Sequence, residues 1–139
     1  MKNKWDHRFY ELADFISRWS KDPRTKVGAV VVDNLNRIVS LGYNGFPIGT
    51  RDDDHIYNNR DRKHARVLHA EINAILFAKE DLSGYTIYCN RLPCSQCAAA
   101  IIQSGIVRVV CGPATDGEIS RRETISLFKE AGIKLEFQR

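Results

Sequence analysis

The sequence has few of the features that mark membrane and secreted proteins. No apolar run approaches the roughly 20 residues that a helix needs to cross a bilayer. The first residues, MKNKWDHRFYEL, carry charge directly into an amphipathic pattern, which differs from the apolar core of a secretory signal. We therefore expect a cytoplasmic protein with no membrane partner.

Cysteine is also scarce, with four in the chain. In the cytoplasm they are expected to be reduced rather than paired in a disulfide framework. Cys94 and Cys97 share one C-x-x-C motif, whereas Cys89 and Cys111 lie inside the apolar runs YTIYCN and VRVVCG. Free cysteine commonly behaves as a small buried hydrophobe, so we expect Cys89 and Cys111 in the core.

A block of one charge is absent as well. The formal net charge is +4, but basic and acidic residues are mixed in RDDDH, NNRDRKH and SRRETISLFKE. This mixture is typical of a solvated surface and argues against a nucleic-acid partner. A mild positive balance suits a small anionic substrate. Because repeats and linkers are also lacking, we expect a single domain over residues 1–139.

The hydrophobic pattern predicts nine elements in the order α-β-β-α-β-α-β-α-β. The first two strands, in KVGAVVVD and RIVSLGYN, are expected to form a hairpin, and residues 45–63 a long polar loop. Strands and helices then alternate, which favours parallel strands covered by helices. We predict an α/β fold of three layers, α-β-α, around a mixed five-stranded sheet. In such sheets ligands bind beyond the carboxyl ends of the strands.

Helix details can also be predicted. The helix through HAEINAILFAKE is expected to bury Ile72, Ile75 and Leu76. Gly105 and Gly132 are expected to end the two following helices. The apolar positions of the first helix, in DHRFYELADFISRWS, are Phe9, Leu12, Ala13, Phe15, Ile16 and Trp19.

The residue types that bind catalytic zinc occur at two predicted helix starts. Such zinc takes three protein ligands and leaves a fourth position for water. His69, Cys94 and Cys97 supply one nitrogen and two sulfurs. The two cysteines are three residues apart, so they share a helix face, and free N–H groups at a helix start favour thiolates. We therefore predict one zinc ion per chain.

Glu71 lies two residues beyond the histidine, where it can face the fourth position and move protons. Taken alone, H-x-E is a frequent chance match, and C-x-x-C also occurs in zinc knuckles, redox pairs and packed cores. The combination H-x-E followed by P-C-x-x-C is the signature of zinc deaminases of cytosine and adenine.

Nearly the whole chain resembles the deoxycytidylate (dCMP) deaminases of the cytidine deaminase-like superfamily. The resemblance is carried by SKDPRTKVGAVVVD, SLGYNGFPIGT, LHAEINAI and PCSQCAAAIIQSGI. It implies a hydrolase that converts dCMP to dUMP and ammonia and so supplies pyrimidine metabolism with dUMP for thymidylate synthesis. Related cytidine or nucleotide deaminases and the tRNA adenosine deaminases share the zinc motif and stay as alternatives.

The resemblance also implies a role for each matching residue. His69, Cys94 and Cys97 match the zinc ligands, and Glu71 matches the proton shuttle. The remaining matches are to substrate-binding groups: the backbone of Ala70 for the pyrimidine, Asn44 for a sugar hydroxyl, and Ser20 and Arg24 for the 5′-phosphate. Taken alone, Asn44 is also typical of a turn, Ser20 of a helix end and Arg24 of a solvated loop.

Some positions depart from the family pattern. Certain relatives bind a second, structural zinc through extra cysteines near the first strand and a histidine two residues before the catalytic one. This chain has Val67 at the histidine position, and no cysteine precedes Cys89, so we expect no second zinc. Cys111 and Leu92 replace aromatic residues of many relatives. Two histidines of the polar segment, His55 and His64, are expected at the surface. The resemblance also implies a homo-oligomer of six or fewer chains and allosteric control by a nucleoside triphosphate with Mg²⁺.

Two rival functions can be compared with this interpretation. A purely structural zinc module needs four protein ligands, and only three are evident. A deaminase of RNA would need a basic face and aromatic platforms, of which the sequence has no clear tract. An enzyme for free nucleosides would not need the phosphate-binding pair Ser20 and Arg24.

Overall fold

The computed structural model describes residues 3–138, and its helices and strands follow the predicted alternation. The helices are α1 (Lys4–Ser17), α2 (Asp54–Tyr57), α3 (Arg60–Arg66), α4 (Ala70–Phe77), α5 (Ser95–Gln103) and α6 (Glu118–Ala131). The strands are β1 (Gly28–Val32), β2 (Ile38–Tyr43), β3 (Thr86–Cys89), β4 (Arg108–Cys111) and β5 (Lys134–Phe137).

The strands form one mixed sheet in the order β2-β1-β3-β4-β5. Strand β1 pairs antiparallel with both β2 and β3, whereas β3, β4 and β5 are parallel to one another. The predicted hairpin and the predicted parallel second half are therefore confirmed. Because β1 runs against β3, the start of β1 and the ends of β3 and β4 meet at one edge of the sheet.

Helices cover both faces of the sheet, which confirms the three-layer fold. Alternate residues of each strand face opposite sides, so the core has two parts. On one side α1 contributes Phe9 and Ala13 to a cluster with Val30, Tyr88 and Val110. The second, larger cluster joins the other strand residues to α4, α5 and α6. Its fully buried members include both cysteines expected in the core, Cys89 and Cys111.

A charged network fixes α1 to the sheet at the side away from the larger cluster. The buried Asp6 accepts hydrogen bonds from Arg108 Nη1 and Nη2, at 2.9 and 2.6 Å, and from the Tyr88 hydroxyl at 2.6 Å. Arg108 also donates to both carboxylate oxygens of Glu136, at 3.1 Å each. Burial opposes ionisation of Asp6, but the hydrogen bonds from Arg108 and Tyr88 hold its pKa below the ordinary value. Buried charges of this kind persist only when they are paired and hydrogen-bonded.

The prediction of a loop over residues 45–63 is wrong in its second part. Two short helices, α2 and α3, occupy residues 54–57 and 60–66. Helix α2 buries Ile56 and Tyr57, and the Asn59 side chain caps α3 by accepting from Arg62 N at 3.2 Å. Both helices are too short to repeat an apolar stripe over two turns, so the hydrophobic periodicity on which the prediction relied could not detect these helices.

The prediction for the face of α4 is confirmed only in part: Ile75 packs against the larger cluster, but α4 lies too close to β2 for a buried face of large side chains. A Cβ atom at Gly42 in β2 would lie only 2.5 Å from Ala74 N and 2.6 Å from Ala70 O. The helix therefore buries Ala70, Glu71 and Ala74. Ile72 and Ile75 are half-buried, and Leu76 is 59% exposed.

The remaining helix predictions have a mixed outcome. Phe9, Ala13 and Ile16 of α1 are buried as expected, but Phe15 and Trp19 are about half exposed. Gly132 ends α6 in the left-handed conformation with φ of 74°, and Gly105 follows α5 with φ of 90°, so both expected helix ends are confirmed. Within residues 3–138, no helix has the length and apolar character that a membrane span requires.

Candidate metal and active site

A cavity of about 610 Å³ opens at the sheet edge where β3 and β4 end and β1 begins. The position agrees with the rule that open α/β sheets bind ligands beyond the carboxyl ends of their strands. The cavity is lined by the segments around β1 and β2, by α3, and by the starts of α4, α5 and α6. Its lining residues are Asp22, Thr25, Val27, Asn44, Lys63, His64, Val67, His69, Ala70, Glu71, Arg91, Leu92, Cys94, Ser95, Gln96, Thr115, Asp116, Gly117 and Ser120.

The three predicted metal ligands lie together, and two of them, His69 and Cys94, line the cavity. His69 Nδ1 lies 3.2 Å from Cys97 Sγ and 3.3 Å from Cys94 Sγ. All three ligand atoms lie within 4.8 Å of one another, so one ion can contact them together. One nitrogen and two sulfurs are a donor set that zinc prefers, and three protein ligands are the number found in catalytic sites. The residues present therefore fit a zinc ion.

Both ligand positions lie at helix starts, as the sequence indicates. His69 is the N-cap of α4, and Cys94 is the N-cap of α5 with its sulfur 3.5 Å from Cys97 N. The Cys94 thiolate accepts hydrogen bonds from the Cys97 thiol and from His69, and these lower the pKa of Cys94 to about 4. An N–H group of the first helical turn also stabilises the anionic sulfur.

Glu71 occupies the second position of α4 and points into the same cavity. Its side chain is only 4% exposed, and burial raises the pKa of its carboxyl group to about 7. A carboxyl group that titrates near neutral pH can both accept and donate a proton. We call His69, Glu71, Cys94 and Cys97 the metal wall of the cavity.

An isolated β-bridge sets the distance between the metal wall and the end of β2. Gly45 N donates to Leu68 O at 3.0 Å, and Leu68 N donates to Gly45 O at 2.8 Å. Because Asn44 precedes Gly45 and His69 follows Leu68, the bridge holds Asn44 near His69, and both residues line the cavity. The buried Ala70, which follows His69, lines the cavity with a backbone N–H that the first turn of a helix leaves free.

Asn44 is buried and holds the segment that precedes β1. Its Oδ1 accepts from Val27 N at 2.8 Å, and its Nδ2 donates to Thr25 O at 2.8 Å and to Asp22 Oδ2 at 3.5 Å. A carbonyl oxygen has two lone pairs, so Oδ1 can accept one further hydrogen bond from the cavity.

The structure separates the two residues that the sequence paired as phosphate ligands. Ser20 is buried and does not line the cavity: its hydroxyl donates to Asn44 O at 2.8 Å and accepts from Asp22 N at 3.2 Å. Arg24 is exposed beside Thr25, which lines the cavity. The Ser20 hydroxyl therefore supports Asn44, and Arg24 is not among the residues that line the cavity.

Sequence reasoning missed an ion pair in the cavity wall, formed by a buried carboxylate and a partly buried lysine. Lys63 of α3 lies 2.6 Å from the carboxylate of Asp22 and lines the cavity with it. The Asp22 carboxyl group is buried, which opposes ionisation, but Lys63 and two backbone N–H groups hold its pKa below the ordinary value. The sequence does not predict this pair, because Asp22 and Lys63 both lie in polar segments that are typical of solvated surface. We call Asp22, Asn44 and Lys63 the polar wall.

Other positions singled out in the sequence also have clear places. Leu92 is buried against the cavity, and Val67 lines it. His64 is exposed at the cavity and His55 is exposed on α2, as expected for surface residues. Asp116, in the segment between β4 and α6, also lines the cavity, although no sequence motif predicts this position.

Comparisons with known proteins agree with this geometry. Residues 3–113 match the family model described as the cytidine and deoxycytidylate deaminase zinc-binding region. The chain is 44% identical over 140 residues to an uncharacterized deaminase of the luxG 3′ region of Aliivibrio fischeri, and the match covers 97% of this chain and 94% of that protein.

Deoxycytidylate deaminases and one solved dCMP deaminase are also similar. The mouse deoxycytidylate deaminase is 38% identical over 139 residues, covering 94% of this chain and 77% of the mouse protein. Other relatives are longer: the chain spans 56% of a probable deoxycytidylate deaminase of Caenorhabditis elegans. The dCMP deaminase of cyanophage S-TIM5, solved in complex with dCMP and dUMP, is 29% identical, with a TM-score of 0.80 and 99% of each chain covered.

Proposed function

This chain belongs to the family of cytidine and deoxycytidylate deaminases, and from that premise we propose that it catalyses the zinc-dependent hydrolysis of dCMP to dUMP and ammonia. One observation carries the proposal: His69, Cys94 and Cys97 form one group of ligand atoms, and Glu71 lines the same cavity as His69 and Cys94. A structural zinc module has no use for the buried Glu71, whereas a hydrolase needs a group that moves protons.

The metal wall divides two tasks between its residues. His69, Cys94 and Cys97 would hold the zinc ion, and each offers one ligand atom. When bound, zinc lowers the pKa of water toward about 7 and so provides a nucleophile at neutral pH. Glu71 holds no metal and therefore has its carboxylate available for proton transfer.

Glu71 balances the protons of the reaction. Its carboxylate accepts a proton from the water that attacks C4 of the cytosine ring and delivers this proton to ring nitrogen N3. It then takes the second proton of the water and passes it to the amino nitrogen, which leaves as ammonia while the C4 carbonyl of dUMP forms. Burial suits this shuttling, because it raises the pKa of Glu71 to about 7 and makes both proton states accessible.

Substrate contacts belong mostly to the opposite side of the cavity. The free N–H of Ala70 would bind the pyrimidine edge, and the remaining lone pair of Asn44 Oδ1 would accept a sugar hydroxyl. Arg24, which is exposed next to the cavity residue Thr25, would reach the 5′-phosphate. Ser20 would act through Asn44, since its hydroxyl bonds to the Asn44 carbonyl and not to the cavity.

Family membership supports broader proposals about the whole enzyme. We expect one domain over residues 1–139, a cytoplasmic location, a homo-oligomer of six or fewer chains, and control by a nucleoside triphosphate with Mg²⁺. Light scattering tests the assembly, and rate curves with dCTP and dTTP, each with Mg²⁺, test the control. A monomer with hyperbolic kinetics that neither triphosphate changes would contradict both proposals.

The substrate is tested by ammonia release from a panel of compounds: dCMP, CMP, dCTP, deoxycytidine and a tRNA anticodon stem. We expect the highest kcat/KM for dCMP. Preference for deoxycytidine would identify a nucleoside deaminase, and release only from the anticodon stem would identify a tRNA adenosine deaminase. Absence of release from the whole panel by zinc-loaded protein would contradict the deaminase proposal itself.

A further inference from the structure

The ion pair in the polar wall has an arrangement that a simple structural pair does not need. Lys63 Nζ lies 2.6 Å from Asp22 Oδ2, and the two side chains are 13% and 1% exposed. Removing two charges from water is costly and is offset only by good geometry and further hydrogen bonds. Here the lysine is not sealed in the core, because it lines the cavity. An ammonium group has three protons, and Asp22 Oδ2 takes one of them.

Asp22 also organises a second cation. Its Oδ1 accepts from the backbone N–H of Arg24 at 2.9 Å and of Thr25 at 3.1 Å. One carboxylate thus fixes Lys63 directly and the backbone that carries Arg24 indirectly. Lys63 at the cavity is thus accompanied by the exposed Arg24 in the neighbouring segment, and two basic side chains in this region suit an anionic group of a ligand.

Contacts along the cavity wall connect Lys63 to the metal wall through Asp22 and Asn44. The Gly45–Leu68 bridge holds Asn44 near His69, and both residues line the cavity. Asn44 Nδ2 lies 3.5 Å from Asp22 Oδ2, and Asp22 in turn contacts Lys63. A ligand whose ring lies at His69 and whose sugar lies at Asn44 would therefore carry its next group toward Lys63.

We infer that Lys63, held by Asp22, is a specificity-determining residue that binds the phosphate monoester of the nucleotide. The inference rests on the proposed function, since that function places a pyrimidine ring at the metal wall. The ammonium group makes a charge-assisted hydrogen bond to a phosphate oxygen, an interaction that a nucleoside lacks. Lys63 thus acts beside Arg24 in the place that the sequence assigned to Ser20.

The test compares the binding of dUMP and deoxyuridine to the zinc-loaded protein by calorimetry. Neither ligand has an amino group at C4, so neither is turned over. Lys63→Met removes the ammonium group but keeps most of the apolar stem. We expect dUMP to bind about 10- to 150-fold more weakly, the range for one hydrogen bond to a charged group, and deoxyuridine to bind as before. The control Arg62→Met removes the same charge from an exposed neighbour on α3 that does not line the cavity.

A second variant separates phosphate binding from damage to the wall. Lys63→Met alone leaves Asp22 buried without its cation, so Asp22→Asn is added. Asparagine keeps an oxygen that can accept from Arg24 N and Thr25 N without a charge. We expect the double variant to recover thermal stability and to keep the selective loss of dUMP binding.

Three results would overturn the inference: equal loss of dUMP and deoxyuridine, wild-type dUMP binding by the double variant, or the same loss from Arg62→Met. Failure of the proposed function gives a different result. In that case wild type releases no ammonia from dCMP, whatever the binding data for Lys63 show.

Discussion

The two walls of the cavity are built in different ways. The metal wall lies at the starts of α4 and α5, helices that pack on the sheet and share its larger hydrophobic cluster. The polar wall comes from the segment before β1, the residue that follows β2 and the short helix α3. Helix α3 itself has no fully buried residue. The first wall is positioned by apolar packing and the second by hydrogen bonds and one ion pair.

This difference assigns chemistry to one wall and substrate choice to the other. The metal wall cannot move without disturbing the core, which suits groups that must keep fixed positions during a reaction. The polar wall depends on contacts among Asp22, Asn44 and Lys63, so single substitutions there can change affinity while the fold persists. Variants of the two walls should therefore have different kinetic signatures.

Metal removal should have the largest effect, because it disables the metal wall entirely. We expect a chelator to abolish ammonia release from dCMP and stoichiometric zinc to restore it. Metal analysis should give one zinc per chain for wild type and a loss of zinc in Cys97→Ser. A metal-free protein that is fully active, or two zinc ions per chain, would contradict this assignment.

Glu71→Gln should have the next largest effect. The amide cannot carry protons, and general acid–base catalysis contributes about 100- to 10,000-fold to a rate. Because Glu71 moves protons twice in one turnover, kcat should fall toward the upper end of this range, while zinc content and the affinity for dUMP change little. Retention of more than about a tenth of wild-type kcat would exclude Glu71 as the proton shuttle.

A smaller effect is expected from Ser20→Ala, and its pattern distinguishes two roles. A neutral hydrogen bond contributes about 0.5–1.5 kcal/mol, which corresponds to about 2- to 12-fold. Because the Ser20 hydroxyl supports Asn44, which would hold a sugar shared by both substrates, kcat/KM should fall equally for dCMP and deoxycytidine. A loss confined to dCMP would instead support a direct bond from Ser20 to the phosphate.

Arg108→Met is expected to leave activity nearly unchanged, because Arg108 lies outside both walls. The substitution leaves the buried Asp6 without its cation, and breaking a buried pair costs about 3–5 kcal/mol of stability. The melting temperature should fall, with kcat/KM for dCMP measured below the transition close to that of wild type. A selective loss of activity without a loss of stability would mean that the two sides of the sheet are coupled.

The two walls also differ in how far the sequence could predict them. H-x-E and P-C-x-x-C predicted which residues of the metal wall meet, because ligand chemistry and helix starts both leave local patterns. The partners of the polar wall lie far apart in sequence: Lys63 pairs with Asp22 across more than 40 positions, and polar segments give no periodic signal for such a pair. The small residues on the buried face of α4 also depend on a contact between distant parts of the sequence, the close approach of Gly42 in β2 to α4. The sequence could therefore not predict this face either.

The most direct test of this division is the ratio of kcat/KM for dCMP to kcat/KM for deoxycytidine in wild type, Glu71→Gln and Arg24→Ala. We predict a wild-type ratio well above one. Glu71→Gln should lower both values and leave the ratio unchanged, whereas Arg24→Ala should lower the ratio by about 10- to 150-fold through dCMP alone. A wild-type ratio of one or less, or an equal loss on both substrates in Arg24→Ala, would contradict the assignment of chemistry to the metal wall and of phosphate recognition to residues outside it.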